Sequence, residues 1–295
     1  MRADVVTRAR VVVRSRRTRA RVARSTRASG VSAVNDAGRT RAREKVVVVG
    51  ASGGVGQLCV AMTSAKGYDV VAVTRRLGVE VDGENVEWMR GIDCRDARAI
   101  ERAFDESVTH CVCCLGTTAF PSARWRDEEG KFTNGPEATD YVSVRNVVDA
   151  AKKRAPNLKR FVLVSSVGVL RTGVMPFIIL NAFGVLKWKR EGEKYLEKSG
   201  LPYTVLRPGR LTDGPYTSYD LNTLLKATSG TKRAVQIGTG DELLPEATSR
   251  IVVAEAACAA LELPSAAGRA FELGSTEGDG PGDDVEKWRQ LFDSV

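Results

Sequence analysis

The sequence predicts an α/β fold: a doubly wound parallel sheet over residues 45–295 with a small lobe near its C-terminal end. Two observations predict it. Short apolar runs alternate with segments of helical period, the pattern of parallel strands joined by crossover helices. The first apolar run is followed at once by a glycine turn, Gly50-x-x-Gly53-x-x-Gly56, that opens a helix. No stretch reaches the roughly 18 apolar residues of a membrane-spanning helix. The nearest, 174–186, is broken by Pro176 and Asn181 and reads as an apolar loop or a buried segment beside a pocket.

Residues 1–44 stand apart from the rest. They hold thirteen arginines, no lysine and three acids, a net charge of +10 against +9 for the whole chain. Residues 45–295 therefore carry −1, and a nucleic-acid-binding reading lacks a basic patch on the folded part. An Arg-, Ser- and Thr-rich segment poor in acids, without a continuous apolar core, has the composition of a transit peptide. The alternative is a disordered basic arm for an acidic partner.

Residues 46–49 are apolar throughout, as in a central strand covered on both faces. In the turn Gly50-Ala51-Ser52-Gly53-Gly54-Val55-Gly56 the glycines let the backbone bend sharply and approach a pyrophosphate. The helix that follows, about 55–66, points its first amides at the phosphates. A second strand spans 69–74. An acid at its end would bind the ribose hydroxyls of NAD, but here stand Arg75 and Arg76. Arginine matches a 2′-phosphate in geometry and charge, so the expected cofactor is NADP(H).

A third strand is expected over 86–91, with Asp93 placed to hold an adenine amino group and Cys94 beside it. A helix over 96–106 leads to a fourth strand, 109–114, ending in Leu115 and Gly116, where a glycine allows close approach to a cofactor. Cys111, Cys113 and Cys114 lie in that strand, the first two on one face and the third on the other. They read as reduced structural cysteines rather than metal ligands. Residues 119–135 read as a surface insertion near the mouth of the site.

An amphipathic helix, 137–154, carries Val144, Val147, Val148 and Ala151 on one face. The fifth strand ends in Ser165 and Ser166, hydroxyls at the edge where ligands bind such sheets. A helix over 187–199 leads to the sixth strand, 203–207, followed by Pro208. Residues 212–248 read as a small substrate lobe with a short helix, 219–227, and a strand, 234–237. Ser249 is placed to cap a helix over 250–263. A last strand, 270–273, and a helix, 285–292, complete the chain.

The glycine turn, Asp93, Ser165-Ser166, Lys189-x-x-x-Glu193 and Leu206-Arg-Pro-Gly209 together resemble the atypical short-chain dehydrogenase/reductases, a Rossmann-fold family. They resemble most the plastid-targeted NAD(P)-binding proteins of plants and algae, and 210–225 is especially similar. The resemblance implies a chloroplast location, in the stroma or peripheral to the thylakoid, ahead of the mitochondrion as the alternative. It implies a catalytic pair, Ser166 and Lys189. The implied cofactor-binding set is Gly50, Ser52, Gly53, Gly54, Val55, Gly56, Arg75, Arg76, Asp93, Cys94, Leu115, Gly116, Lys189 and Pro208.

The family's usual tyrosine, four residues before the lysine, is here Val185, and Tyr-x-x-x-Lys occurs nowhere in the sequence. The proton for carbonyl reduction must then come from Lys189, from solvent, from Tyr141 or from the substrate. Two functions stay open: an NADP(H)-dependent oxidoreductase on an apolar or aromatic small molecule, and a non-catalytic NADP(H)-binding redox sensor or scaffold for a thylakoid or stromal protein. Nucleotide-sugar epimerase or dehydratase chemistry also leans on the missing tyrosine.

Overall fold

A computed structural model describes residues 43–295 apart from 79–82, 84, 128, 213–230 and 244–246. Residues 1–42 of the segment 1–44 expected to be a transit peptide, and the helix expected over 219–227, lie outside the described residues. Among the described residues ten strands follow one another: β1 (Lys45–Val49), β2 (Asp69–Val73), β3 (Val86–Met89), β4 (Val108–Cys113), β5 (Arg160–Val164), β6 (Tyr203–Pro208), β7 (Leu211–Thr212), β8 (Ala234–Gly238), β9 (Thr248–Ser249) and β10 (Arg269–Thr276). Eight of them form one Rossmann sheet in the order β3-β2-β1-β4-β5-β6-β10-β8, and β7 pairs with β9 alone. Every pairing in the large sheet is parallel except β8 on β10. The chain reverses its direction of strand addition between β1 and β4, and the crevice at such a switch point is where ligands bind.

The valine run explains why β1 is central. Val46 and Val48 belong to one buried cluster, Val47 and Val49 to the other, so a period of two feeds both faces. The first face is covered by α1 (Gly54–Ala65) and α6 (Arg250–Glu262). The second is covered by α2 (Ala97–Glu101), α3 (Ser143–Arg154) and α5 (Val185–Lys198). Each fully buried valine contributes roughly 1.5–3 kcal/mol. Of the helices α4 (Phe177–Leu180) and α7 (Val285–Asp293), α4 buries Phe177 in a separate cluster with Val167, Val169, Val185 and Leu186, and α7 buries Trp288 and Phe292 in the first cluster. Cys111 and Cys113 pack into the second cluster and Cys114 against the first, all as free thiols.

Several elements differ from the sequence reading. The helix expected over 96–106 is helical only for Ala97–Glu101, capped by the Asp96 carboxylate, which accepts from the Arg98 and Ala99 amides. The helix expected over 137–154 opens as a π-helix, Glu137–Val142, before becoming α3. The apolar segment 174–186 contains α4 and is largely open to solvent: Met175 is 63% exposed, Ile178 and Ile179 51% each. Strand 234–237, read as part of a small lobe, adds to the edge of the main sheet as β8. No helix among the described residues is long and apolar enough to cross a membrane.

Behind β6 lies a buried ion network. Arg207 donates from Nε to Glu193 Oε1 at 3.1 Å and from Nη2 to Glu193 Oε2 at 2.9 Å, and its Nη1 faces Glu272 Oε1 at 3.5 Å. The Asp241 amide donates to the same Glu272 oxygen at 2.9 Å. The Asp241 carboxylate, in turn, accepts from the Gly168 amide at 2.6 Å and the Leu170 amide at 2.8 Å. Asp241 adopts φ 62°, a left-handed conformation that a non-glycine residue takes at a cost. The network thereby ties the loop after Ser165-Ser166 to α5, β6 and β10.

Candidate functional site

The glycine turn is built as its spacing requires. The Gly50 and Ala51 amides donate to the Val73 carbonyl at 3.1 and 3.0 Å, which locks the turn to the end of β2. Gly50 has φ +79°, and a Cβ there would meet the Cys114 carbonyl oxygen at 3.0 Å. A Cβ on Gly56 would stand 2.2 Å from the Gly50 carbonyl oxygen. Among the described residues no side chain caps the N-terminus of α1, so its first amides are not taken by a cap.

A cavity of about 710 Å³ opens above these strand ends. All the sequence-selected residues line it: the turn from Gly50 to Gly56 apart from Ala51, then Arg75, Arg76, Asp93, Cys94, Leu115, Gly116, Ser166, Lys189 and Pro208. Arg95 and Arg250 line it too, though sequence reasoning passed over both. Among the described residues the wall thus carries five cations, Arg75, Arg76, Arg95, Lys189 and Arg250, against one carboxylate, Asp93. Such a field suits a polyanion. Among the described residues no cluster of His, Cys, Asp or Glu could hold a metal ion.

At the end of β2, Arg75 Nη1 donates to Asn134 Oδ1 at 2.9 Å, and Thr74 donates to the Ser52 hydroxyl at 2.8 Å. The Asp93 carboxylate accepts from Arg95 Nε at 3.0 Å to each oxygen. Those bonds hold its carboxyl below the usual carboxylate range. Asp93 therefore presents to the cavity as half of an ion pair. The Cys94 thiol beside it is pushed up to about 12 by burial.

At the other end of the cavity, Ser166 donates to the Val167 carbonyl at 3.1 Å, and Ser165 Oγ is buried without a hydrogen-bond partner among the described residues. Lys189 Nζ pairs with Asp140 Oδ1 at 2.8 Å. Asp140 also accepts from the Thr117 amide at 3.3 Å. Burial raises the Asp140 carboxyl against the pull of Lys189. A signal for Asp140 was present: it falls four residues before Val144, an acid on the apolar stripe of an amphipathic helix. Arg250 had no local signal, since it reaches the turn from the far end of the chain; a Cβ on Gly54 would meet its Cδ and Nε at 2.8 Å. Val185 is buried among Val167, Val169, Phe177 and Leu186. Tyr141 stacks on Trp188 at 5.6 Å between ring centres and is not part of the cavity wall.

Residues 50–264 match the model of a family described as NAD(P)H-binding. The chain belongs to that family. As a member of the NAD(P)H-binding family it is 30% identical over 281 residues to an uncharacterised chloroplastic protein of Arabidopsis thaliana, across 90% of this chain and 79% of that one. It is 34% identical over 181 residues to sanguinarine reductase of Eschscholzia californica, across 59% of this chain and 58% of the relative. Its fold matches the crystal structure of the oxidoreductase ylbE from Lactococcus lactis with a TM-score of 0.62 at 18% identity, over 85% of this chain and 96% of that one. At that identity the likeness is one of fold. The chain is an NAD(P)-binding Rossmann protein, in line with the resemblance carried by its glycine turn and strand-end motifs.

Proposed function

We propose that the protein is an NADP(H)-dependent reductase of a small apolar or aromatic molecule and works in the chloroplast. The observation that carries this reading is one cavity with two differently equipped ends: a glycine cradle with Arg75 and Arg76 at one, and Ser166 with Lys189 at the other. The residues fit the dinucleotide. The turn amides and the N-terminus of α1 would hold the pyrophosphate, the two arginines the 2′-phosphate, and Lys189 the nicotinamide ribose. Bound NADPH would supply a hydride to an electron-poor carbon of the substrate. Ser166 would hold the polar atom attached to that carbon, and the exposed apolar segment around α4 would flank the substrate. A relative that is itself a reductase supports the activity. A chloroplastic relative and the arginine-rich first 44 residues, read as a transit peptide, support the location.

The cofactor half makes a specific prediction. Replacing both Arg75 and Arg76 by glutamine removes the charge that meets the 2′-phosphate, and charge-assisted bonds contribute about 1.5–3 kcal/mol each. NADPH affinity should fall at least about tenfold while NADH affinity stays within about twofold. Arg250, which crosses the first residue of α1, should act on the shared pyrophosphate instead: R250Q should weaken NADPH and NADH alike, by about tenfold. Fluorescence titration of each variant with both cofactors checks the contrast.

The buried Val185 in place of an acid favours a second reading, a non-catalytic NADP(H) sensor that docks on a stromal or thylakoid protein. Turnover separates the two. The purified full chain should oxidise NADPH with at least one member of a panel of quinones, enones and aromatic carbonyls. Tight NADPH binding without oxidation across the panel would favour the sensor.

A further inference from the structure

With Val185 buried in an apolar cluster, the cavity needs another acid if a reduced product is to be protonated. One helical turn further on, three independent features converge on the Lys189 ammonium. Asp140 Oδ1 stands 2.8 Å from Nζ on a side chain with no solvent exposure. Gly116 passes the pair without a side chain, where a Cβ would stand 3.1 Å from Nζ and 3.6 Å from Oδ1. Gly192, one turn along α5 from Lys189, lets that helix close on the π-helical turn, since a Cβ there would stand 2.7 Å from the Asp140 carbonyl oxygen. π-Helical turns are frequent at functional sites.

Stability does not account for this arrangement. A buried ion pair is often no better than apolar residues of the same volume, because both charges lose their hydration. Here Asp140 Oδ2 is also buried with no hydrogen-bond partner among the described residues. The titratable groups that face Lys189 are Asp140 from the π-turn and Cys113 from β4, whose thiol burial pushes up.

We propose that Asp140 is a positioning residue that holds Lys189 Nζ in the cavity wall, so that Lys189 delivers the proton Val185 cannot. The proposal rests on the reductase reading. Lysine ammonium and tyrosine phenol are acids of similar strength in model peptides, about 10.4 and 10. As the hydride adds to the substrate carbon, the electron pair of its polarised double bond moves to the attached heteroatom. The Nζ–H bond of Lys189 breaks, its electron pair stays on nitrogen, and the proton forms a bond to that heteroatom. The resulting amine regains a proton from solvent.

Timed acetylation of the full chain with N-hydroxysuccinimidyl acetate, followed by peptide mass spectrometry, reads the ammonium directly, because only the free amine reacts. D140N should raise the labelling rate of Lys189 about tenfold at pH 8, because the amine loses the carboxylate that engages it at 2.8 Å, with exposed Lys198 unchanged. D140E should restore a slow rate, and NADPH should protect Lys189 in the wild type. An unchanged Lys189 rate in D140N would overturn the proposal, as would NADPH that binds without protecting Lys189. If D140N loses its circular dichroism, G116A, which presses on Nζ, gives the same contrast: faster labelling supports the pair and an unchanged rate overturns it. Failure of the wild type to bind NADPH would instead overturn the reductase reading, and the D140N comparison would still read the pair.

Discussion

Replacing Gly56 by alanine is expected to abolish cofactor binding at any practical concentration. The added Cβ would lie 2.2 Å from the Gly50 carbonyl oxygen, 2.8 Å from the Gly50 carbonyl carbon and 3.0 Å from the Ala51 Cα. All three are backbone atoms, so no rotamer relieves the clash and the turn must open. That turn is pinned to β2 through the Val73 carbonyl, and it aims the first amides of α1. Moving it misaligns those donors and widens the approach to a pyrophosphate. Overpacking of this kind destabilises by about 1–3 kcal/mol. A loss in NADPH affinity of at least about 100-fold, about 2.7 kcal/mol, is expected. Calorimetric titration measures it, and far-UV circular dichroism verifies that the sheet survives. Wild-type affinity in G56A would mean that the cofactor does not use this turn.

The second large effect concerns stability. R207M leaves Glu193 without its bidentate partner and Glu272 without the cation beside it, in a region where both side chains have no solvent exposure. Removing one partner of a buried ion pair costs about 3–5 kcal/mol. Urea unfolding should show a correspondingly lower midpoint. The pH dependence has a definite sign. Burial raises the Glu272 carboxyl above its ordinary value, and Arg207 opposes that rise. Between the ordinary glutamate range and the raised folded value, the folded state holds a proton that the unfolded chain has lost, so stability falls as pH rises through that window. Without Arg207 the fall should be steeper, and R207M should regain part of its midpoint on acidification from pH 8 to about pH 5. A wild-type midpoint, or a variant that loses further stability on acidification over that range, would contradict this account of the network.

The parts of this molecule that can be read along the chain are those whose cause is local. The valines of β1 announce a strand buried on both faces because side chains alternate, and the two clusters divide them as that alternation requires. The glycine turn is legible because only glycine fits where backbone meets backbone. Arg75 and Arg76 are legible because they sit at a fixed place, the end of β2. What escaped were contacts made across the fold. Arg250 meets Gly54 from almost 200 residues away in sequence. Arg95 takes the Asp93 carboxylate, which the sequence offered to an adenine. β8 joins β10 by antiparallel edge pairing that no local pattern encodes. Asp140 lies between these cases. Its place on an apolar stripe was visible, but the π-turn and Gly192 that bring it to Lys189 emerge only from packing.

Titrating the full chain with NADPH and, separately, NADH tests the central claim most directly. The account predicts saturable binding of NADPH at one site, with NADH weaker by at least about tenfold because it lacks the phosphate that Arg75 and Arg76 would meet. Equal affinity for the two, or binding of neither, would contradict it.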